Sequence, residues 1–120
     1  MKVRAFRGAT QLKADSKQEM EEAVCEMLSE IFQSNGLGRD DLISILFTAT
    51  PDLVCDFPAA AARTLDLGSI PLICAVEIAV EDSMPRVVRA MVHAHSSLEH
   101  SDVKHVYLRG AQALRKDLAQ

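Results

Sequence analysis

One amphipathic segment among short apolar runs limits what this chain can fold into. Between Ser16 and Asn35, apolar residues recur every three or four positions, which is the period of a helix with one buried face. These positions are Met20, Ala23, Val24, Met27, Leu28, Ile31 and Phe32. Ser16 with Glu19 predicts a capping box at the start, and Gly36 predicts the end. The sequence therefore predicts one long helix whose apolar stripe packs against another layer.

That second layer is predicted to be a β-sheet. Runs rich in Val, Ile and Leu, separated by Gly, Pro, Asp and Ser, predict five strands at 2–7, 42–49, 70–80, 86–95 and 103–108. A short helix is predicted at 58–65, with Pro58 at its first position. Together with the long helix, these elements predict a single α+β domain over residues 1–120.

The run 86–95 alternates cleanly between two kinds of side chain. Val88, Ala90, Val92 and Ala94 form a small apolar face that is suited to receive the long helix. The opposite face carries Arg89, Met91, His93 and His95. A sheet face with arginine and histidine beside apolar residues is predicted to meet another subunit or a cavity.

Composition excludes several classes of protein. Only 4% of the 120 residues are aromatic, so aliphatic side chains must fill the single core. The longest apolar run, 70–80, is interrupted by Pro71 and Glu77 and is shorter than the roughly 20 residues of a membrane helix. The N-terminus lacks the apolar block of a secretory signal, and three cysteines without CxxC spacing indicate reduced thiols, so we expect a cytoplasmic protein. A net charge of −4 without a basic stripe argues against nucleic-acid binding.

Three arginines occupy places where a small domain normally has apolar or neutral residues. Arg7 ends the first predicted strand, Arg63 closes an alanine-rich segment, and Arg89 lies inside the alternating run. A guanidinium stays protonated and is costly to leave unpaired in a dry place. Because Glu77 is the one carboxylate in the central apolar run, the excess of cations predicts a site for an anionic small molecule.

Five sequence blocks carry a resemblance to a known family. They are RGAT at 7–10, ATPDL at 49–53 with FPA at 57–59, PLICAVE at 71–77, HVYL at 105–108 and LRKDL at 114–118. In this order and spacing, they resemble the monofunctional chorismate mutases of the AroH class. The resemblance implies a five-stranded mixed sheet packed against one long helix and short helices. It also implies a trimeric pseudo-α/β-barrel, related to the YjgF/RidA-like trimers, with active sites between neighbouring chains.

The resemblance also implies a reaction and its residues. Chorismate mutases convert chorismate to prephenate, on the route to Phe and Tyr, by a Claisen rearrangement that needs no cofactor, metal or covalent intermediate. Arg89 would lie at the breaking ether bond, Arg7 and Tyr107 at the enolpyruvyl carboxylate, and Glu77 at the ring hydroxyl. The resemblance also implies that Phe57 and Arg63 bind substrate from the neighbouring chain. Arg115 would lie at the cleft mouth, and Cys74 would meet the ring hydroxyl together with Glu77. The remaining implied contacts come from the strand that contains Ile73, Cys74, Ala75 and Val76.

This chain departs from the family pattern at two positions. Ala60 replaces a typical lysine, which removes part of the positive field at the entrance, and Ile73 replaces a threonine. A further question concerns geometry, because Cys74 and Glu77 point to opposite faces of a regular strand. Either a bulge lies between them, or Cys74 contributes through its backbone, which we favour.

Other interpretations stay open at the level of sequence. Arg89 and Glu77 can form a purely structural ion pair. His93 and His95 have a spacing found in metal sites, but no nearby carboxylate or thiol completes a ligand set, so surface or interface histidines are favoured. The alternative functions are a trimeric small-molecule binder or imine/enamine hydrolase of similar architecture, and a regulatory trimer that binds an anion without chemistry.

Overall fold

The computed structural model describes residues 1–114. Within them, the strands are β1 (Lys2–Gln11), β2 (Leu42–Ala49), β3 (Leu72–Val76), β4 (Val87–Ser96) and β5 (Val106–Leu108). The helices are α1 (Lys17–Asn35) and α2 (Pro58–Ala62), with 3-10 turns at Arg39–Asp41, Arg63–Leu65, His100–Asp102 and Ala111–Ala113. None of the described helices is long and apolar enough to cross a membrane.

The strands form one mixed sheet in the order β3-β2-β4-β1-β5. β4 lies in the centre and pairs antiparallel with β1 and β2, while the outer strands β5 and β3 pair parallel with β1 and β2. Because parallel neighbours need a crossover, α2 lies between β2 and β3 in the chain. The predicted five-stranded mixed sheet with one long helix is confirmed.

Helix α1 covers one face of this sheet. Its stripe from Met20 to Ile31 is fully buried against the alternate side chains of β4, among them Val88 and Val92. Gly8 on β1 lies directly beneath the helix and leaves no room for a side chain. A Cβ built at this position would come within 2.6 Å of Ile31 Cδ1. The predicted apolar face of β4 is therefore the face that packs against α1, and its alternate residues point to the opposite side.

The ends of α1 match the prediction with one correction. Ser16 Oγ accepts the Glu19 N–H at 3.2 Å, and Gly36 ends the helix in the left-handed region with φ of 63°. The reciprocal half of the predicted capping box is wrong. The Glu19 carboxylate instead accepts the N–H groups of Lys13 and Ala14, because the chain turns back over the helix start before Ser16.

Three strands differ from the prediction by two or more residues at an end, while β4 is offset by one residue. β1 runs four residues further than expected, since β4 pairs with it as far as Gln11. β3 is shorter than 70–80 at both ends. It begins after Pro71, because proline has no N–H to donate. It ends at Val76, because β2 ends at Ala49 and residues beyond Val76 have no ladder partner. β5 is limited to three residues, because the preceding 3-10 turn holds Val103.

Candidate active site

A small cleft lies on the face of the sheet that α1 does not cover. The register places Thr48 opposite Arg89, Arg89 opposite Ala9, and Ala9 opposite Tyr107, so one row of side chains crosses four strands. The cleft has a volume of about 210 Å³. Its lining residues are Arg7, Gly8, Ala9, Leu46, Thr48, Glu77, Arg89, Ala90, Met91 and Tyr107. The fold thus brings together four residues predicted from sequence, Arg7, Glu77, Arg89 and Tyr107.

Arg89 and Glu77 form the charged centre of the cleft. Arg89 Nε lies 3.1 Å from Glu77 Oε1, and the two side chains are 42% and 27% exposed. Despite this distance, the buried Nε–H has no aligned acceptor within the described residues, so the contact is an ion pair rather than a directed hydrogen bond. Among residues 1–114, the terminal guanidinium nitrogens of Arg89 make no hydrogen bond.

Thr48 supplies the directed hydrogen bond that Arg89 does not. Its hydroxyl donates to Glu77 Oε1 at 2.9 Å, the same oxygen that faces Arg89 Nε. Glu77 follows β3 and is tied to the sheet through its N–H, which donates to Ala49 O at 2.9 Å. One carboxylate oxygen is therefore occupied, while Oε2 has no hydrogen bond from the described residues.

Arg7 is held by a neighbour that precedes β5. Its backbone N–H donates to His105 Nδ1 at 3.0 Å, just where the ladder between β1 and β5 begins at Gly8 and Val106. No ion pair involves the Arg7 guanidinium within residues 1–114. Tyr107 is nearly buried beside Arg7 and lines the same cleft.

Charge in the cleft favours an anionic ligand. Two guanidinium groups, on Arg7 and Arg89, face one carboxylate, that of Glu77. Arginine binds carboxylates through two parallel N–H donors, which makes this pair suited to a ligand with carboxylate groups. The purely structural interpretation of Arg89 is weakened, because its contact with Glu77 leaves donors unused.

Another group of predicted residues lies around a different cleft. Phe57, Cys74, Ala75 and Val76 line a mostly apolar cleft of about 540 Å³, while Arg63 lines a separate hollow of about 250 Å³. Ile73 is 64% exposed and lines neither of them. Arg115 lies outside the described residues. A single described chain therefore does not bring these residues to Arg89.

The expected opposition of Cys74 and Glu77 is seen in the structure. Cys74 packs toward the core, where its Sγ accepts the Ala59 N–H at 3.4 Å, whereas Glu77 lines the cleft of Arg89. β3 shows no bulge against β2. In this chain the Cys74 thiol does not reach the cleft that contains Glu77.

Thr48 and His105 lie at the site but were not predicted from the sequence. Thr48 is the last residue but one of β2, where threonine is common, and only its register with Arg89 reveals its position at the site. His105 belongs to the quoted HVYL block, which was a usable signal. Within residues 1–114 no three His, Cys, Asp or Glu side chains are grouped as metal ligands would be.

Comparison with known proteins defines the family. A family profile described as chorismate mutase type I matches residues 3–118. The chain belongs to the type I chorismate mutase family. It is 38% identical over 117 residues to chorismate mutase AroH of Thermus thermophilus, an alignment that covers 97% of this chain and 96% of that protein. It is 32% identical over 120 residues to chorismate mutase AroH of Bacillus subtilis, with 99% and 94% covered.

A solved chorismate mutase structure agrees with the fold. The chorismate mutase from Clostridium thermocellum superposes with a TM-score of 0.90 at 41% sequence identity, and the match covers 92% of this chain and 98% of that one. The recognition of a type I chorismate mutase, an isomerase, is thereby confirmed. The roles of individual residues remain predictions.

Proposed function

We propose that the Arg89 cleft rearranges chorismate to prephenate in the biosynthesis of Phe and Tyr. One observation carries this proposal: a type I chorismate mutase chain folds Arg7, Glu77, Arg89 and Tyr107 into one cleft with an excess of positive charge. The reaction breaks one C–O bond and forms one C–C bond within a single dianion. Because no proton moves and no nucleophile attacks, the cleft has only to hold the folded conformer and stabilise developing charge.

Arg89 acts at the breaking ether bond. The ether oxygen becomes more negative as the bond stretches, so a fixed cation beside it binds the transition state better than the ground state. Anchoring at Nε by Glu77 limits the motion of the guanidinium and leaves its terminal nitrogens for the substrate. Arg7 and Tyr107 bind the enolpyruvyl carboxylate of the substrate. The ring hydroxyl of the substrate donates a hydrogen bond to Glu77 Oε2, which has none from residues 1–114.

The apolar cleft lined by Phe57, Cys74, Ala75 and Val76 completes the site from a neighbouring chain in a homotrimer. Phe57 is 70% exposed and Val76 is 72% exposed, and both line the same mostly apolar cleft, as is typical of a surface that another subunit covers. Phe57 and Arg63 lie away from Arg89 within one chain, so they reach substrate only across a subunit interface. In this proposal Cys74, with the backbone of residues 73–76, belongs to the half of the site that the neighbouring chain supplies, which is consistent with its position opposite Glu77.

The deciding experiment is a chorismate-consumption assay on purified protein with the product identified as prephenate. Turnover of imino acids without loss of chorismate absorbance supports the imine/enamine hydrolase instead. Saturable chorismate binding without prephenate supports the regulatory trimer. We place the enzyme in the cytoplasm, and fractionation of the source cells tests this.

Assembly is tested together with the proposed role of Arg63 at the mouth of the shared site. Sedimentation is expected to give a trimer, and a fully active monomer contradicts the shared site. Arg63→Ala is expected to raise KM with little change in kcat, because a residue at the cleft mouth holds substrate and transition state alike. A lowered kcat at unchanged KM contradicts that role.

A further inference from the structure

Three polar contacts next to the proposed catalytic residues have no assigned role. They are the hydroxyl of Thr48 on Glu77, the imidazole of His105 on the Arg7 N–H, and a turn in which Asp52 accepts the Arg86 N–H just before β4. Thr48 alone both lines the cleft and contacts one of its charged side chains. It therefore supports the most direct inference.

We propose that Thr48 is a positioning residue that keeps Glu77 from neutralising Arg89. The inference rests on the function proposed above. The Thr48 hydroxyl donates to Glu77 Oε1 at 2.9 Å, and the same oxygen lies 3.1 Å from Arg89 Nε without an aligned hydrogen bond. The Thr48 bond thus orients the Glu77 carboxylate, and in this orientation the Arg89 Nε–H is not aligned with Oε1.

The geometry explains why a threonine is suited to this task. Thr48 lies directly opposite Arg89 in the antiparallel pair of β2 and β4, so its hydroxyl is fixed relative to Arg89 by the sheet itself. A β-branched side chain has few χ1 rotamers, which keeps the donor in one place. Glutamate has a long flexible side chain, and a hydrogen bond to a charged acceptor is strong enough to select one of its rotamers.

Without this bond, an isolated arginine and glutamate favour a bidentate pair. A fork-to-fork contact uses two parallel N–H donors of the guanidinium and both carboxylate oxygens. Such a pair would occupy the terminal nitrogens of Arg89 that the proposed mechanism needs at the ether oxygen. It would also occupy the Glu77 Oε2 that is proposed to accept the substrate hydroxyl.

The test compares Thr48→Val with Thr48→Ser. Valine keeps the branched shape and loses the donor, whereas serine keeps the donor and loses a methyl group. We expect Thr48→Val to lower kcat roughly tenfold, at the lower end of the range for a hydrogen bond to a charged group. KM is expected to change less, because Arg89 acts most strongly in the transition state. Thr48→Ser is expected to stay within about threefold of the parent enzyme, well short of the Thr48→Val loss.

A double-variant cycle separates positioning from packing. In a Glu77→Gln background no bidentate ion pair can form, so Thr48→Val is expected to add little further loss. Thermal unfolding and sedimentation of every variant check fold and assembly. Loss of kcat in Thr48→Ser equal to that in Thr48→Val overturns the proposal, and so do fully additive effects in the cycle.

The outcome is separable from that of the proposed function. If Arg89→Ala is inactive while Thr48→Val retains at least half of the parent kcat, the role of Thr48 is wrong and the cleft stands. If purified protein forms no prephenate, or if Arg89→Ala is fully active, the proposed function itself fails. Parent enzyme, Arg89→Ala and both Thr48 variants are therefore measured side by side.

Discussion

Replacing Arg89 is expected to remove most of the rate while leaving the fold intact. Removal of one preorganised donor from a developing negative charge typically costs about 100- to 1000-fold in kcat. Arg89→Ala also leaves Glu77 without the cation that lies 3.1 Å away in the parent protein. The remaining carboxylate then repels the ether oxygen as that oxygen gains charge, so we expect a loss at the upper end of this range.

The repulsion can be estimated and tested separately. For unit charges about 6 Å apart at an effective dielectric of about 40, it amounts to about 1.4 kcal/mol, which corresponds to a tenfold change in rate. Only partial charge develops on the ether oxygen, so the repulsion at this dielectric is smaller than the figure for two unit charges. Arg89→Ala combined with Glu77→Gln is therefore expected to be up to about tenfold faster than Arg89→Ala alone.

Lysine is expected to be a poor substitute for Arg89. It keeps the charge but lacks the planar fork, so it cannot contact Glu77 through one nitrogen and the substrate through two others. The assay is steady-state loss of chorismate absorbance, with sedimentation to confirm unchanged assembly. Arg39→Ala is the control, because it removes the same side chain from an exposed pair with Asp66. An Arg89→Ala enzyme that keeps more than about a tenth of the parent kcat refutes the mechanism.

Three further predictions concern other residues. Backbone N–H groups before α1 hold the pKa of Glu19 below its ordinary value. The ionised Glu19 carboxylate therefore stabilises the folded state fully above the unfolded-state pKa of about 4.3, and this contribution is lost as pH falls through the folded pKa. Glu19→Gln is expected to lower the Tm measured by calorimetry at pH 7, but not in acid. Burial and a hydrogen bond to Asp15 raise the pKa of Cys55 to about 11. Alkylation of Cys55 at pH 8, followed by mass spectrometry, is therefore expected to be slow, and Asp15→Asn is expected to accelerate it. His105→Leu leaves the Arg7 N–H without its acceptor and is expected to raise KM severalfold. His105→Asn retains an acceptor and is expected to leave KM unchanged. Equal KM values in the two variants contradict this role of His105.

Local sequence determined the elements that repeat a simple period. The apolar stripe of α1 and the strict alternation of β4 specify which side chains are buried, because each pattern has only one face that can leave water. Pro58 at the first position of α2 and Gly36 after α1 act through backbone geometry alone. The boundaries of β1, β3 and β5 were wrong, because a strand extends only as far as its neighbour supplies hydrogen-bonding groups, and that neighbour is distant in sequence.

The sequence by itself predicted which residues form the candidate site, and the tertiary structure decided their arrangement. Arginines and a carboxylate within apolar runs predicted an anion site, since such charges are costly in a core without a ligand or partner. Only the register of the strands brings Thr48 opposite Arg89. A shift of one residue in any ladder would exchange the two faces, and register is set by packing of the whole sheet against α1 rather than by any single segment.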